Sequence, residues 1–237
     1  MMNPRIYIIG FNSQKRVNRA FKSIPAKYQR ILLDNGNVAL KVPDGVEHYV
    51  TGPGMFTEAF NWALRDAMEH DSIPVICNDD IVFEDGCIDL LVSEIEHGAG
   101  LACPIQVDMA LPNNIVMGGT MQAFPGGIHR TGIRGKHYLT KRDYPWLPFC
   151  VVAVNPELIR EIGYLDKNLK MWFSDSDYSI RARMAGWSVM LLPDAVVRHE
   201  QSAAVRAVGS DDMQLQFIMD RTYFETKWGG QILERCK

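Results

Sequence analysis

The sequence predicts an α/β fold, a mostly parallel central sheet with flanking helices and a small, loop-rich antiparallel region. Two observations predict it. Short apolar runs alternate with stretches of helical periodicity through about the first hundred residues, the pattern of parallel strands joined by right-handed crossovers. Polar clusters follow three of those runs, at Phe11-Asn12, Asp34-Asn35 and Asn78-Asp79-Asp80. In a parallel sheet such positions converge on the carboxyl edge, where open α/β sheets hold their ligands.

The elements follow in order. Arg5 to Gly10 reads as a buried strand, with Phe11-Asn12-Ser13 and a basic helix after it. Arg30 to Leu33 is a second strand, stopped by the turn signal Asp34-Asn35-Gly36-Asn37. Val46 to Val50 is a short third strand, and Gly52-Pro53-Gly54 breaks the chain before a helix over Phe56–Glu69. In that helix Phe56, Phe60, Ala63, Leu64 and Ala67 recur at helical spacing. Pro74 to Cys77 reads as a buried strand because it is short, apolar and bounded by a proline and by acids. A helix over 86–96 and a strand from Leu101 to Ile105 complete this half.

The cluster Asn78-Asp79-Asp80 is the stretch on which the chain turns. Carboxylates crowded at a strand end repel one another unless a cation lies between them, and oxygen ligands suit magnesium or manganese. The competing reading is an Asx-rich turn with Asp85 capping the next helix.

Periodicity fails from Gln106 to Tyr144, where glycines and prolines predict loops and short antiparallel strands. Cys150 to Val154 reads as a strand, and Pro156 opens a helix through Ile162 that Gly163 closes. The stretch from Trp172 to Trp187 reads as a helix with Ser174 at its N-cap, Asp177 three residues on in a capping box, and Gly186 as its stop. Its expected apolar face is Ile180, Met184 and Trp187. Asp177 thereby has a structural role, whereas Asp175 has none. A carboxylate at a helix N-terminus is held in its charged form, as a base at neutral pH must be. Two short strands about Pro193-Asp194 then end at His199, and residues 211–228 form an amphipathic helix whose default role is packing.

The chain has 237 residues, 47% of them hydrophobic and 22% charged, an ordinary globular composition that argues against disorder. No apolar run approaches the roughly 18 residues of a membrane span, and no signal-peptide pattern opens the sequence. The five cysteines are scattered without a Cys-x-x-Cys pair, as expected of reduced thiols in a cytoplasmic protein. Net charge is −3, yet two runs lack acids. Lys15 to Arg30 carries six basic residues, and His129 to Arg142 carries Arg130, Arg134, Lys136, Lys141 and Arg142. Solvated helix faces explain many such runs; two of them also fit a surface that faces an anion.

With these stretches assembled, the chain resembles the family-2 glycosyltransferases of the GT-A nucleotide-sugar-binding fold, from about Arg5 to Gly230. Ile9-Gly10-Phe11-Asn12 stands where these enzymes have an apolar strand and an aromatic-Asn pair. Leu33-Asp34-Asn35-Gly36 resembles their nucleotide-contacting turn, Ala59-Phe60-Asn61 an Ala-x-Asn element, and Cys77-Asn78-Asp79-Asp80 the metal-binding Asp-x-Asp region. Gly163-Tyr164-Leu165-Asp166 resembles a turn that follows the central helix. Phe173 to Asp177, continuing to Gly186-Trp187, resembles the helix that carries the catalytic base. His199 lies where many members place a metal-binding histidine, and Lys227-Trp228-Gly229 resembles a closing motif.

The resemblance implies a single domain, with a nucleotide-sugar half over 1–105, an acceptor and catalytic half over 106–210, and a helix over 211–230. It implies a nucleotide-sugar donor met by Phe11, Asn12, Asp34, Asn61, Asn78 and Asp79. It further implies a divalent manganese or magnesium ion on Asp80 and His199, and inverting transfer with Asp175 as base and Asp177 behind it. Arg130, Arg134, Lys136 and Trp172 are the expected acceptor residues. The acceptor is a saccharide, a phosphorylated lipid or polymer, or a nucleic acid with hydroxylated bases. Two departures stand out: Asn78 replaces the first acid of the metal motif, and Ser174 replaces the glutamate of the base motif. The second departure admits a module that binds nucleotide sugar without turning it over, or a nucleotide-sugar hydrolase. Retention of Asp80, Asp175 and His199 together argues for the transferase.

Overall fold

A computed structural model describes residues 3–120, 130–135, 140–201 and 210–229. Strand β1 (Arg5–Gly10) leads to helix α1 (Gln14–Lys22), β2 (Gln29–Asp34), β3 (Glu47–Val50) and α2 (Phe56–Glu69). Then come β4 (Pro74–Asn78), β5 (Ile81–Phe83), α3 (Cys87–Glu96), β6 (Leu101–Asp108) and β7 (Asn114–Met117). The two-residue strands β8 (Gly132–Ile133) and β9 (Arg142–Asp143) precede β10 (Val151–Val154), α4 (Pro156–Ile162), α5 (Ser174–Met184), β11 (Val189–His199) and α6 (Ser210–Trp228).

The strands form one sheet in the order β3-β2-β1-β4-β10-β6-β11-β5. The pairings of β3 with β2, β2 with β1, β1 with β4 and β6 with β11 are parallel. The short strand β10 runs antiparallel between β4 and β6, so the crossover through α3 leaves a gap that a later part of the chain fills. Strands β1, β2 and β4 read as continuous apolar runs because both faces are covered. Tyr7, Ile9, Ile31, Leu33 and Ile76 pack on the face beneath α2, whereas Ile6, Ile8, Leu32, Val75 and Cys77 pack with Val17 and Phe21 of α1. Successive side chains point to opposite faces.

Register aligns the strand ends. Gly10 pairs with Asp34, and Ile9 with Asn78, so the three polar clusters leave the sheet side by side.

Several expectations are corrected. The two strands predicted about Pro193-Asp194 are one strand, β11, with an irregularity between Leu192 and Val196. Ile81–Phe83 pairs as a strand with β11, and Gly86, in the left-handed region, caps α3, the place the competing reading gave to Asp85. Helix α5 begins one residue early. Its N-cap is Phe173 at φ 63°, with no side-chain cap bond, and Ser174 is its first helical residue. Phe173 stacks on Phe224 at 5.2 Å and tilts against Phe217 at 5.6 Å, aromatic packing that outweighs the local capping preference. Met184, expected on an apolar face, is exposed. On α6, Met213, Phe224 and Trp228 are buried, while Leu215 and Ile218 face solvent. No helix among the described residues is long and apolar enough to cross a membrane.

Candidate active site

Two cavities adjoin at the carboxyl edge of the sheet. The first, of about 410 Å³, is lined by Phe11, Asn35 and Asn37, by Pro53 to Phe56, by Asn78 to Asp80, and by Met171 and Met213. The second, of about 420 Å³, is lined by Trp146, Phe149 and Cys150, by Trp172 to Ser176, and by Phe217. Phe56, Asn78 and Met171 belong to both, so Asn78 at the end of β4 stands at their seam.

The first cavity owes its floor to Asp79. Its buried carboxylate accepts the Phe11 N–H at 2.9 Å and pairs with Arg16 Nε at 2.9 Å, while Arg16 donates again to the Phe11 carbonyl at 2.8 Å. Burial pushes the Asp79 carboxyl up to about 6, opposed by the Phe11 N–H and by Arg16. Asp79 therefore ties the end of β4 to the loop after β1. Arg16 is a member of the first basic run, and here its charge is spent within the site.

Asn12 acts from behind the wall. Its Oδ1 accepts the N–H groups of Asn37 and Val38 at 2.7 and 2.9 Å, holding the turn after β2. Asp34 accepts the Leu40 N–H at 2.9 Å through Oδ2, while its buried Oδ1 has no hydrogen-bond partner among the described residues. Asn35 donates to the Gly54 carbonyl at 2.9 Å and fastens the loop that carries Pro53 and Met55. A Cβ at Gly52 would lie 2.5 Å from the Asn35 carbonyl, so only glycine lets that loop close. Asn61 serves elsewhere. Both ends of its amide bond the Leu165 backbone, at 2.8 and 2.9 Å, and it lines neither cavity.

Asp80 is 4% exposed, and its Oδ1 lies 3.3 Å from Nε2 of His199. Nδ1 of His199 meets Oε1 of Gln106 at 2.8 Å. A histidine whose Nδ1 donates to Gln106 turns Nε2 toward Asp80, and the pair is then satisfied in one of two ways. A protonated imidazole makes an ion pair; a neutral one leaves electron pairs facing each other, as the ligands of a cation do. One carboxylate and one imidazole fit manganese, or magnesium with more ligands from water and phosphate. No group of three or more His, Cys, Asp and Glu that could hold a metal occurs among the described residues.

Asp175 lies in the second cavity. Its Oδ1 accepts the N–H and hydroxyl of Ser176 at 2.7 and 3.1 Å. Burial is the largest influence on its carboxyl and raises it above the usual carboxylate range, against the lowering by Ser176 and by the Phe149 and Asp175 N–H groups. The local argument from the helix N-terminus is thus outweighed by desolvation. Asp177 is a structural anchor: fully buried, it accepts Trp228 Nε1 at 2.9 Å and pairs with Lys227 at 2.6 Å and Arg181 at 2.9 Å.

Of the expected acceptor residues, Trp172 lines the second cavity. Arg134 pairs with Glu84 at 2.8 Å, outside either lining, and Arg130 joins the loop pairing with Gly118 and Gly119 through its backbone. Lys136 lies outside the described residues. Sequence reasoning placed Asn35 in the Asp34-Asn35 turn and gave Met213 and Phe217 only a packing role on the last helix; it did not single out Gln106 or Met171.

No protein-family model matches the sequence, and no curated protein matches it. Solved structures do. GalNAc-T7 with UDP, GalNAc and Mn²⁺ superposes at a TM-score of 0.65 with 13% identity, over 84% of this chain and 44% of that one. The 1–349 fragment of S. aureus TarS gives 0.54 with 13% identity, over 84% and 61%. A197 from STIV gives 0.51 with 9% identity, over 84% and 85%. This chain therefore spans less than half the length of the GalNAc-T7 chain. GalNAc-T7 and TarS are glycosyltransferases, and the chain described here has the GT-A glycosyltransferase fold.

Proposed function

We propose that the protein transfers a sugar, with inversion, from a nucleotide-sugar donor to an acceptor hydroxyl. The observation that carries this reading is the placement of Asp80 and Asp175 in two cavities that meet at Asn78. The first cavity takes the donor. Phe11, Asn35 and Asn37 in its lining are the groups nearest to hand for the nucleoside, while Asp34 lies behind that lining. A divalent cation held by Asp80 and His199 would supply positive charge against the donor diphosphate and favour its departure. Gln106 fixes the imidazole of His199 in the orientation this needs.

Asp175 is the general base, with its carboxyl raised above its ordinary value by burial. The acceptor oxygen forms its bond to the anomeric carbon while the bond from that carbon to the diphosphate oxygen breaks. The electron pair leaves with the nucleoside diphosphate, and the acceptor proton passes to Asp175. Asp177 holds α5 in place and takes no proton.

The test is a panel of nucleotide sugars with manganese, scored for transferred sugar and for free nucleotide in separate channels. UDP-sugars come first, given the UDP and Mn²⁺ in the GalNAc-T7 structure. Transferred sugar is expected. Nucleotide release without transfer, under every acceptor supplied, points to hydrolysis; donor binding without either product points to a binding module.

A further inference from the structure

Resting on the transfer reading, we propose that the acceptor presents its hydroxyl on a flat, uncharged aromatic ring and not on a saccharide. Six aromatic side chains wall the cavity that holds Asp175: Phe56, Trp146, Phe149, Trp172, Phe173 and Phe217. They are braced by one another and by the core beneath. Trp172 meets Phe217 edge-on at 5.5 Å, Phe173 meets Phe217 at 5.6 Å, and Phe149 stacks on Phe60 at 5.6 Å. Rings held in this way offer faces and edges to a planar guest at little further cost in side-chain freedom.

Polar partners are scarce in the same cavity. Apart from the two indole nitrogens and the Cys150 thiol, its described polar side chains are Asn78, Ser174, Asp175 and Ser176. Ser174 is 1% exposed, and the Ser176 hydroxyl is occupied by Asp175. A pyranose carries hydroxyls around its whole rim, and each one buried without a partner opposes binding. An aromatic alcohol carries one, and Asp175 is there to receive its proton.

Charge leads to the same class. Arg134 is paired with Glu84 and Lys141 with Glu94, and none of Arg130, Arg134, Lys141 and Arg142 lines the cavity. The reacting group is therefore recognised by stacking. The bond changes are those given above, with the oxygen of the aromatic alcohol as nucleophile.

Three probes test the proposal by calorimetry: 5-hydroxymethyluracil, 4-methylumbelliferone and methyl β-glucopyranoside. At least one aromatic alcohol is expected to bind about tenfold more tightly than the glucoside, and Trp172→Leu and Phe217→Leu each to weaken it by about tenfold, a typical effect of removing one stacking ring. Phe217 is 37% exposed, so its replacement leaves the core closed if Trp172→Leu fails to fold. Preference for the glucoside, or aromatic binding indifferent to both variants, overturns the proposal, as does failure of every probe to bind. A panel of nucleoside diphosphates with manganese is titrated in parallel. Their binding, with sugar transferred to the glucoside, sinks the aromatic acceptor and leaves the transferase standing. Stacking that meets the expectation, with no diphosphate bound and no sugar moved, does the reverse. Which aromatic probe wins assigns the source, a nucleobase or a phenol.

Discussion

Asp175 carries opposite demands on stability and chemistry. Its folded carboxyl is raised above the unfolded value, so its contribution to stability is fully present below the unfolded pKa and is lost as pH rises through the folded one. Ionising this buried carboxyl works against the fold, by about 1.4 kcal/mol for each pH unit that separates the folded and unfolded values. Asp175→Asn is therefore expected to melt higher than the wild type at pH 7, with the difference vanishing near pH 4. The same variant should lose roughly a hundred- to ten-thousand-fold in turnover while binding donor normally. Thermal melts at both pH values, beside a transfer assay, check the pair of effects. For the wild type, activity should fall as pH drops through the raised carboxyl value, because only the ionised form accepts a proton. An active Asp175→Asn with an inactive Asp177→Asn would reverse the assignment of these two acids.

The decisive elements for the site are the loop over 166–173 and helix α6 against it. Asp220, 1% exposed, accepts the backbone N–H groups of Lys170, Met171 and Trp172 at 3.1, 2.9 and 2.8 Å. Asp166 at the start of the loop accepts Lys227 at 2.7 Å and Tyr223 at 2.9 Å, and its carboxyl is pulled down to about 2 with these partners overcoming burial. Replacing Asp220 by Ala leaves three N–H groups without their acceptor and should cost on the order of 3 kcal/mol. Denaturant melts measure that loss, and hydrogen exchange at residues 170–172 should accelerate; unchanged exchange there would remove Asp220 from the support of the site. This clamp was invisible in the sequence. Apolar spacing finds α2, and the Pro156 and Gly163 punctuation finds α4, at their observed bounds, because both signals are properties of neighbours. Spacing assigned the far helix only a packing role, because the partners of Asp220 lie about fifty residues upstream. The charge count misled for the same reason. Arg134 looked available to an anion until its partner Glu84, 50 positions earlier, came into view. Asn78 and Asp80 were legible because strand ends in a parallel sheet converge by geometry, whatever separates them in the chain; His199 entered as a metal candidate only through the family resemblance.

At the scale of the whole molecule, the sheet brings Asp80, in the turn between β4 and β5, to His199 at the end of β11 through the parallel pair of β6 and β11 and the antiparallel pair of β11 and β5. A chelator is expected to abolish transfer, with manganese restoring it, and Asp80→Ala and His199→Ala should each raise the metal concentration needed. A nucleoside diphosphate should raise the melting temperature only when metal is present, since stabilisation reports binding to the folded state. Full turnover in excess chelator would remove the metal from the reaction. The order in which the chain supplies its cavity has a further consequence. Met213 and Phe217 roof the two cavities, and Asp220, Lys227 and Trp228 fasten the loop and helix beneath them, yet all five follow the rest of the site in sequence. Chains emerge from the ribosome at roughly 5–20 residues per second, and earlier parts can fold first. The sheet can assemble while α6 is still being made, so a nascent chain halted near residue 210 would carry Asp80 and His199 but an unbraced Asp175. Its sheet edge would be complete before either cavity was, since each lacks a wall until α6 arrives.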